Sequence, residues 1–248
     1  MKIHIYKDAD ELGVAAGQRA AQLIKNIIAG KGQANIILAT GISQFRTLDF
    51  LVHDQAIDWS KVVMFHLDEY IGLPVSHPAS FRKYLRERFL EKVPTLKEIF
   101  LISGEDDPDQ ECIRLNSAIR EHPVDLALVG IGENGHLAFN DPPADFETAE
   151  PYIIVHLDEA CRRQQVHEGW FQSMNEVPLK AISMSIRQIM KSKYIICSVP
   201  GERKAEAVYQ CVQHPVSNLI PAGILQEHAD CDLYLDKASA ALLKNQEA

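Results

Sequence analysis

The chain has 248 residues, 46% of them hydrophobic and 24% charged, which is enough for one large α/β domain with a well-buried core, or two small ones. Its net charge of −9, with no basic block longer than Arg162-Arg163, argues against nucleic acid as a partner; a small anion can still bind where a few cations and backbone amides converge. Five widely spaced cysteines without a Cys-x-x-Cys pair argue against a zinc site or a disulfide framework, and there is neither a signal-peptide core nor an apolar run near the ~18 residues of a membrane span, so reduced thiols in a cytoplasmic protein are expected.

Ile3-His4-Ile5-Tyr6 reads as a first short strand. Asp8 is placed to cap a helix running to about residue 29, with Leu12, Ala16, Ala20, Leu23 and Ile27 on one face and Gly30 as its stop. Strand-like segments follow at 35–39, 62–67, 99–102, 124–130, 153–156, 181–186, 194–198 and 233–235. Helix-like segments lie near 43–52, 79–89, 108–121, 201–212 and 238–243. This alternation predicts an α/β fold: a mainly parallel sheet with helices on both faces, a Rossmann-like three-layer sandwich. No repeat, low-complexity tract or linker interrupts it, so a single domain over residues 1–248 is expected. Residues 141–151, rich in Pro, Asp and Glu, read as a loop beside a site.

Four strand ends carry polar residues. The first follows the apolar run Val124, Leu126, Leu128, Val129: the chain turns at Gly130-Ile131-Gly132 and Gly135, and Glu133, Asn134, His136, Asn140 and Asp141 crowd together behind it. In an open parallel sheet, ligands bind outside the carboxyl ends of the strands. Histidine is the side chain suited to proton transfer near neutral pH, and an amide and a carboxylate beside it can orient it. The alternative is a polar loop whose Asn and Asp only cap turns. The glycines have Rossmann spacing, but no helix start follows them. The second is Thr40-Gly41-Ile42-Ser43, where a buried strand meets a helix start whose free N–H groups and dipole favour an anion; an ordinary turn capped by Ser43 is the alternative. The third is Gly201-Glu202-Arg203-Lys204, which puts a lysine in the first turn of a helix, where the dipole disfavours it unless an anion binds; a solvated surface lysine is the alternative. The fourth is His66-Leu67-Asp68-Glu69-Tyr70, where two adjacent carboxylates point in different directions, so that one can act as a base while the other is structural. Together these ends suit a phosphorylated small molecule and proton transfer; no metal-ligand spacing is present, and neither a metal nor a cofactor is expected.

The motifs Leu67-Asp68-Glu69-Tyr70, Gly72-Leu73-Pro74, His77-Pro78-Ala79-Ser80 and residues 130–142 (GIGENGHLAFNDP) resemble the glucosamine-6-phosphate deaminase family, also called glucosamine-6-phosphate isomerase; Thr40-Gly41, Lys204-Ala205 and Leu225-Gln226-Glu227-His228 match more weakly. The resemblance covers nearly the whole chain. It implies hydrolysis of glucosamine 6-phosphate to fructose 6-phosphate and ammonia. It also implies that Asp68 is the base moving a proton between C2 and C1, and that His136 opens the sugar ring with help from Asn134 and Asp141. The 6-phosphate would be held by Thr40, Gly41, Ile42, Ser43 and Lys204. A small-molecule sugar phosphate is thus the expected partner, with no membrane contact; a homo-oligomer is compatible, its order unspecified.

Four positions depart from the family pattern: Asn134 where many members have Asp, Asp141 in place of Glu, Ile42-Ser43-Gln44 in the phosphate loop, and a glutamine near Arg162-Arg163-Gln164-Gln165 where an arginine is usual. The neighbouring 6-phosphogluconolactonases typically have Asp-Glu-Arg at Asp68-Glu69-Tyr70 and His-Thr-Ala-Ser-Leu-Phe from His136 onward, which favours the deaminase. The same residues are also compatible with a deaminase or isomerase for another hexosamine 6-phosphate, such as galactosamine 6-phosphate, or with a non-catalytic sugar-phosphate sensor.

Overall fold

In the computed structural model, which describes residues 1–243, two sheets meet at one strand end. The strands are β1 (Lys2–Tyr6), β2 (Ala34–Leu38), β3 (Val62–His66), β4 (Asp68–Tyr70), β5 (Glu98–Phe100), β6 (Leu126–Val129), β7 (Tyr152–His156), β8 (Lys180–Met184), β9 (Tyr194–Val199) and β10 (Cys231–Asp236). The helices are α1 (Ala9–Lys31), α2 (Phe45–His53), α3 (Phe81–Leu85), α4 (Pro108–Glu121), α5 (Glu159–His167), α6 (Ile186–Met190) and α7 (Ala205–Gln213). Seven strands form a parallel sheet in the order β1-β10-β9-β6-β2-β3-β5. Every residue of β2 is buried: Ile36 and Leu38 enter the core under α1 and α2, while Ile37 and Ala39 enter the core on the opposite face. Burial on both faces explains why these strands read as continuous apolar runs.

From the central pair β2–β6, the chain proceeds outward through β3 and β5 on one side and through β9 and β10 on the other. The carboxyl ends of β2 and β6 therefore flank a topological switch point, where the diverging connections leave a crevice.

The second sheet, β4-β8-β7, is antiparallel, so two segments expected in the parallel sheet pair elsewhere. Leu67 joins the sheets: its N–H donates to Leu38 O (3.2 Å), and its carbonyl accepts from Met184 N–H (2.9 Å). Asp68 follows at this junction. A third apolar cluster, including Tyr70, Phe81, Phe139 and Phe171, packs over the small sheet.

Asp8 caps α1 as expected, but the helix continues through Gly30 and ends at Gly32, whose φ of 82° supplies the left-handed cap. The segment at 43–52 begins as a tight 3-10 turn (Ile42–Gln44) before α2, and that at 201–212 as a 3-10 turn (Glu202–Lys204) before α7. The segment at 79–89 is α3 followed by a π-helical turn, Arg86–Leu90. The helix expected at 238–243 is a run of turns. There, Ser239 N–H donates to the Asp236 carboxylate (2.7 Å) and Asp236 N–H to the Ser239 hydroxyl (3.1 Å), side-chain bonds that compete with a helical ladder. The helices α5 and α6 and the 3-10 segment Pro221–Glu227 were not expected from the sequence. All five cysteines are buried and unpaired, and no helix among the described residues is long and apolar enough to cross a membrane.

Candidate active site

The ends of β2, β6 and β9 and the Leu67–Asp68 junction open onto one cavity of about 400 Å³. It is lined by Thr40, Gly41, Ile42 and Ser43 after β2, by Asp68, by Gly130–Glu133 and His136 after β6, and by Pro200–Lys204 after β9. Gln164, Gln165 and Glu168, at and just beyond α5, complete the wall. Of the residues to which the resemblance gives a role, Asn134 and Asp141 do not line it and are bonded to His136 from behind; Asn140 and Glu69, also named at the strand ends, do not line it either.

The adjacent carboxylates have separate environments. Glu69 accepts from Ser80 Oγ (3.0 Å) and from the backbone N–H groups of Tyr70 (2.9 Å), Phe81 (3.2 Å) and Arg82 (2.8 Å). It is committed to holding the start of α3. Asp68 is 6% exposed and faces the cavity. Burial, with the charge of Glu69 adding to it, pushes its carboxyl up to about 8. An acid poised there is suited to taking and returning a proton near neutral pH.

On the wall supplied by the turn after β6, His136 Nδ1 is 3.1 Å from Asp141 Oδ1. Asn134 ties the assembly together: its Oδ1 accepts the His136 backbone N–H (3.1 Å), and its Nδ2 donates to both Asp141 (3.0 Å) and Asp158 (3.0 Å). The Asp158 backbone N–H donates to the second Asp141 oxygen (2.8 Å). Burial alone pushes the Asp141 carboxyl up, but the hydrogen bond and charge of His136, with the donors from Asn134 and Asp158, outweigh it and hold the group below the usual carboxylate range. The shorter Asp141 thus keeps the contact with the imidazole. Gly132 makes room for the ring, since a Cβ there would lie 2.2 Å from His136 Nε2. Asn140 is structural: its Nδ2 donates to Leu137 O and Met184 O, both at 2.8 Å, closing a turn in which Ala138 takes a φ of 53°.

At the other end, Gln44 Nε2 donates to Val129 O (3.0 Å) and Ser43 Oγ (3.1 Å), and Tyr84 OH to Gly41 O (3.0 Å), so the loop 40–43 is fastened to β6 and α3. Lys204 is largely buried; desolvation pushes its amine down, opposed by Glu168 and Glu133. Its Nζ is 4.0 Å from Glu168 Oε1, a carboxylate also held by Gln164 Nε2 (2.7 Å) and Trp170 Nε1 (3.2 Å). Arg203 stands 3.9 Å from Glu133 at the rim.

Arg162 turns away from the cavity to Met174 O and Val177 O, and Arg163 pairs with Glu159 at the surface; Gln164 and Gln165 both face the cavity. Glu168 and Asp158 were missed in the sequence, and the helix that presents the glutamines was not expected. The helix carrying this wall buries Cys161, Gln164 and Gln165 instead of an apolar stripe, so periodicity gave no signal.

The description "Glucosamine-6-phosphate isomerases/6-phosphogluconolactonase" belongs to the family matched by residues 7–234. The chain is 35% identical to a glucosamine-6-phosphate deaminase of Oenococcus oeni, over 94% of this chain and 96% of that one. It is 36% identical to one of Lactobacillus delbrueckii subsp. bulgaricus, over 98% and 100%. Among solved structures, it superposes on a monomeric glucosamine-6-phosphate deaminase with a TM-score of 0.88 at 31% identity, covering 98% of this chain and all of that one. A Thermotoga maritima 6-phosphogluconolactonase gives 0.78 at 15% identity, a likeness of fold alone.

Proposed function

The chain belongs to the family of glucosamine-6-phosphate isomerases and 6-phosphogluconolactonases, and on that basis we propose that it is a glucosamine-6-phosphate deaminase acting as one α/β domain. The observation that carries this reading is one cavity holding a buried, cavity-facing carboxylate, Asp68, together with an imidazole, His136, oriented by Asp141. The reaction converts glucosamine 6-phosphate and water to fructose 6-phosphate and ammonia. His136 moves a proton between the anomeric hydroxyl and the ring oxygen, opening the ring. Asp68 takes the proton from C2 of the open chain and returns it to C1, leaving an imine at C2; water hydrolyses the imine to the ketone and ammonia. The substrate's ammonium favours the ionised form of Asp68 when it binds nearby. Thr40, Gly41, Ile42, Ser43 and Lys204 anchor the 6-phosphate, with loop N–H groups and one cation. Every group named comes from one chain, so the reaction can run in a monomer or in each copy of a homo-oligomer. Five buried thiols without disulfides suit a reducing compartment, and we place the protein in the cytoplasm.

Ammonia release from a panel of hexosamine 6-phosphates tests the reading. Glucosamine 6-phosphate should be the best substrate; a preference for the galacto epimer, or release from none of them, would replace it. The anchor has its own test. Lys204→Ala removes a charge-assisted contact worth about 1.5–3 kcal/mol, so KM for the phosphorylated sugar should rise roughly 10–100-fold with little change in kcat. A collapse of thermal stability with no separate effect on KM would make Lys204 structural.

A further inference from the structure

Three donor atoms from two parts of the chain, the turn after β6 and helix α5, converge behind the cavity wall. His136 Nδ1, Asp141 Oδ1 and Cys161 Sγ all lie within 4.8 Å of one another, with the nitrogen and oxygen 3.1 Å apart. His136 is 8% exposed and Cys161 1%. We propose that this cluster is an inhibitory binding site for a thiophilic divalent cation, Zn²⁺ being the representative.

The donor set is the first argument. Imidazole nitrogen, carboxylate oxygen and thiolate are the three ligand types zinc takes, at about 2.0–2.3 Å and in tetrahedral arrangement. Donors bonded in that way stand roughly 3.3–3.7 Å apart, so the widest separation here has to close by only about 1 Å. The support around the donors is the second. Asp141 is oriented by Asn134 Nδ2 (3.0 Å) and by the Asp158 backbone N–H (2.8 Å), the kind of outer contact that fixes metal-ligating carboxylates. Proximity to the cavity is the third: His136 lines the 400 Å³ space, so the cluster lies one side chain behind it, and three protein donors leave the fourth position of a tetrahedral ion to water.

Binding releases the Cys161 thiol proton; a ring proton held on Nδ1 moves to Nε2, so the bound imidazole stays neutral. The metal ion then replaces the His136–Asp141 hydrogen bond and places positive charge against the imidazole. With its proton on Nε2 the ring has no nitrogen lone pair left to accept another, while the proposed sugar-phosphate anchor, built on other segments, is untouched. Inhibition should therefore lower kcat and leave KM unchanged. Mg²⁺, which prefers an all-oxygen shell, should have no effect.

The test uses the full chain, freed of metal by a chelator and kept reduced. Zn²⁺ binding is measured by calorimetry, Co²⁺ binding by the near-ultraviolet thiolate-to-cobalt band, and turnover at fixed Zn²⁺ in parallel. Cys161→Ala and Cys161→Ser, each first checked for wild-type melting and basal turnover, are the deciding variants. The expected result is one equivalent of zinc, a cobalt–thiolate band and a loss of kcat of about tenfold or more. In both variants the band and the inhibition should disappear, with zinc affinity falling by more than the ~10–100-fold that losing an outer-shell partner costs. Zinc binding of equal strength in the variants, no cobalt–thiolate band, or full turnover with the site loaded would overturn the proposal. The inhibitory arm rests on the deaminase reading, but the binding arms do not. Cys161-dependent binding without turnover of any amino-sugar phosphate would therefore remove the function and leave the site.

Discussion

Asp68→Asn is expected to lower kcat by at least the ~10²-fold that a general base contributes, while the sugar phosphate still binds. In the wild-type protein, kcat/KM should fall as pH drops through about 8, because burial and Glu69 raise this carboxyl to that value and only the ionised form can take the C2 proton. The same shift sets a stability signature. A carboxyl raised on folding keeps its proton in the folded state between its ordinary value of 3.8 and about 8, so its contribution to stability declines as pH rises across that window. Asparagine carries no such penalty. The variant should therefore melt above the wild type at alkaline pH and match it below the unfolded pKa. Turnover within a few-fold of wild type would remove Asp68 from the mechanism; unchanged alkaline stability would show that the carboxyl is not raised.

Gly132→Ala should be nearly as damaging, although it removes no functional group. Its new Cβ would stand 2.2 Å from both Nε2 and Cε1 of His136, so the imidazole must leave its place and its bond to Asp141. A displacement of about 1 Å of a reacting group can cost ~10²-fold in rate, and losing the acid–base function altogether costs ~10²–10⁴-fold. The double variant with His136→Asn should turn over no more slowly than His136→Asn alone, because both changes disable the same group. Wild-type turnover in Gly132→Ala, or additive losses in the double variant, would show that the ring does not act from this position.

Part of this architecture can be read along the chain because its causes are local. Strands buried on both faces must be apolar throughout, so β2, β3, β6 and β9 stand out, and the polar residues after them mark the edge where ligands bind. The roles of Asp68 and Glu69 were not separable in that way. One caps α3 and the other faces the cavity because β4 leaves the parallel sheet at Leu67 to pair with β8, a partner more than a hundred residues away. The segments at 153–156 and 181–186 carry the same β signal as their parallel counterparts, and nothing local says that they pair with each other. The helix that carries Gln164 and Gln165, and Glu168 beyond it, stayed hidden because it buries polar groups, which periodicity cannot distinguish from a solvated face; only the resemblance pointed to a glutamine there.

The parallel α/β frame and the polar strand ends that open onto the cavity are legible in the bare chain, because apolar runs, turn glycines and adjacent polar motifs are written in neighbouring positions; choosing Asp68, His136, Asn134, Asp141, Lys204 and the loop 40–43 among those polar groups rested on the family resemblance. Which carboxylate faces the cavity, why position 132 is glycine, that Gln164, Gln165 and Glu168 wall the cavity, and that Cys161 stands beside His136 and Asp141 were settled in three dimensions. Those outcomes depend on desolvation, excluded volume and the convergence of distant segments, none of which exists until the chain has packed.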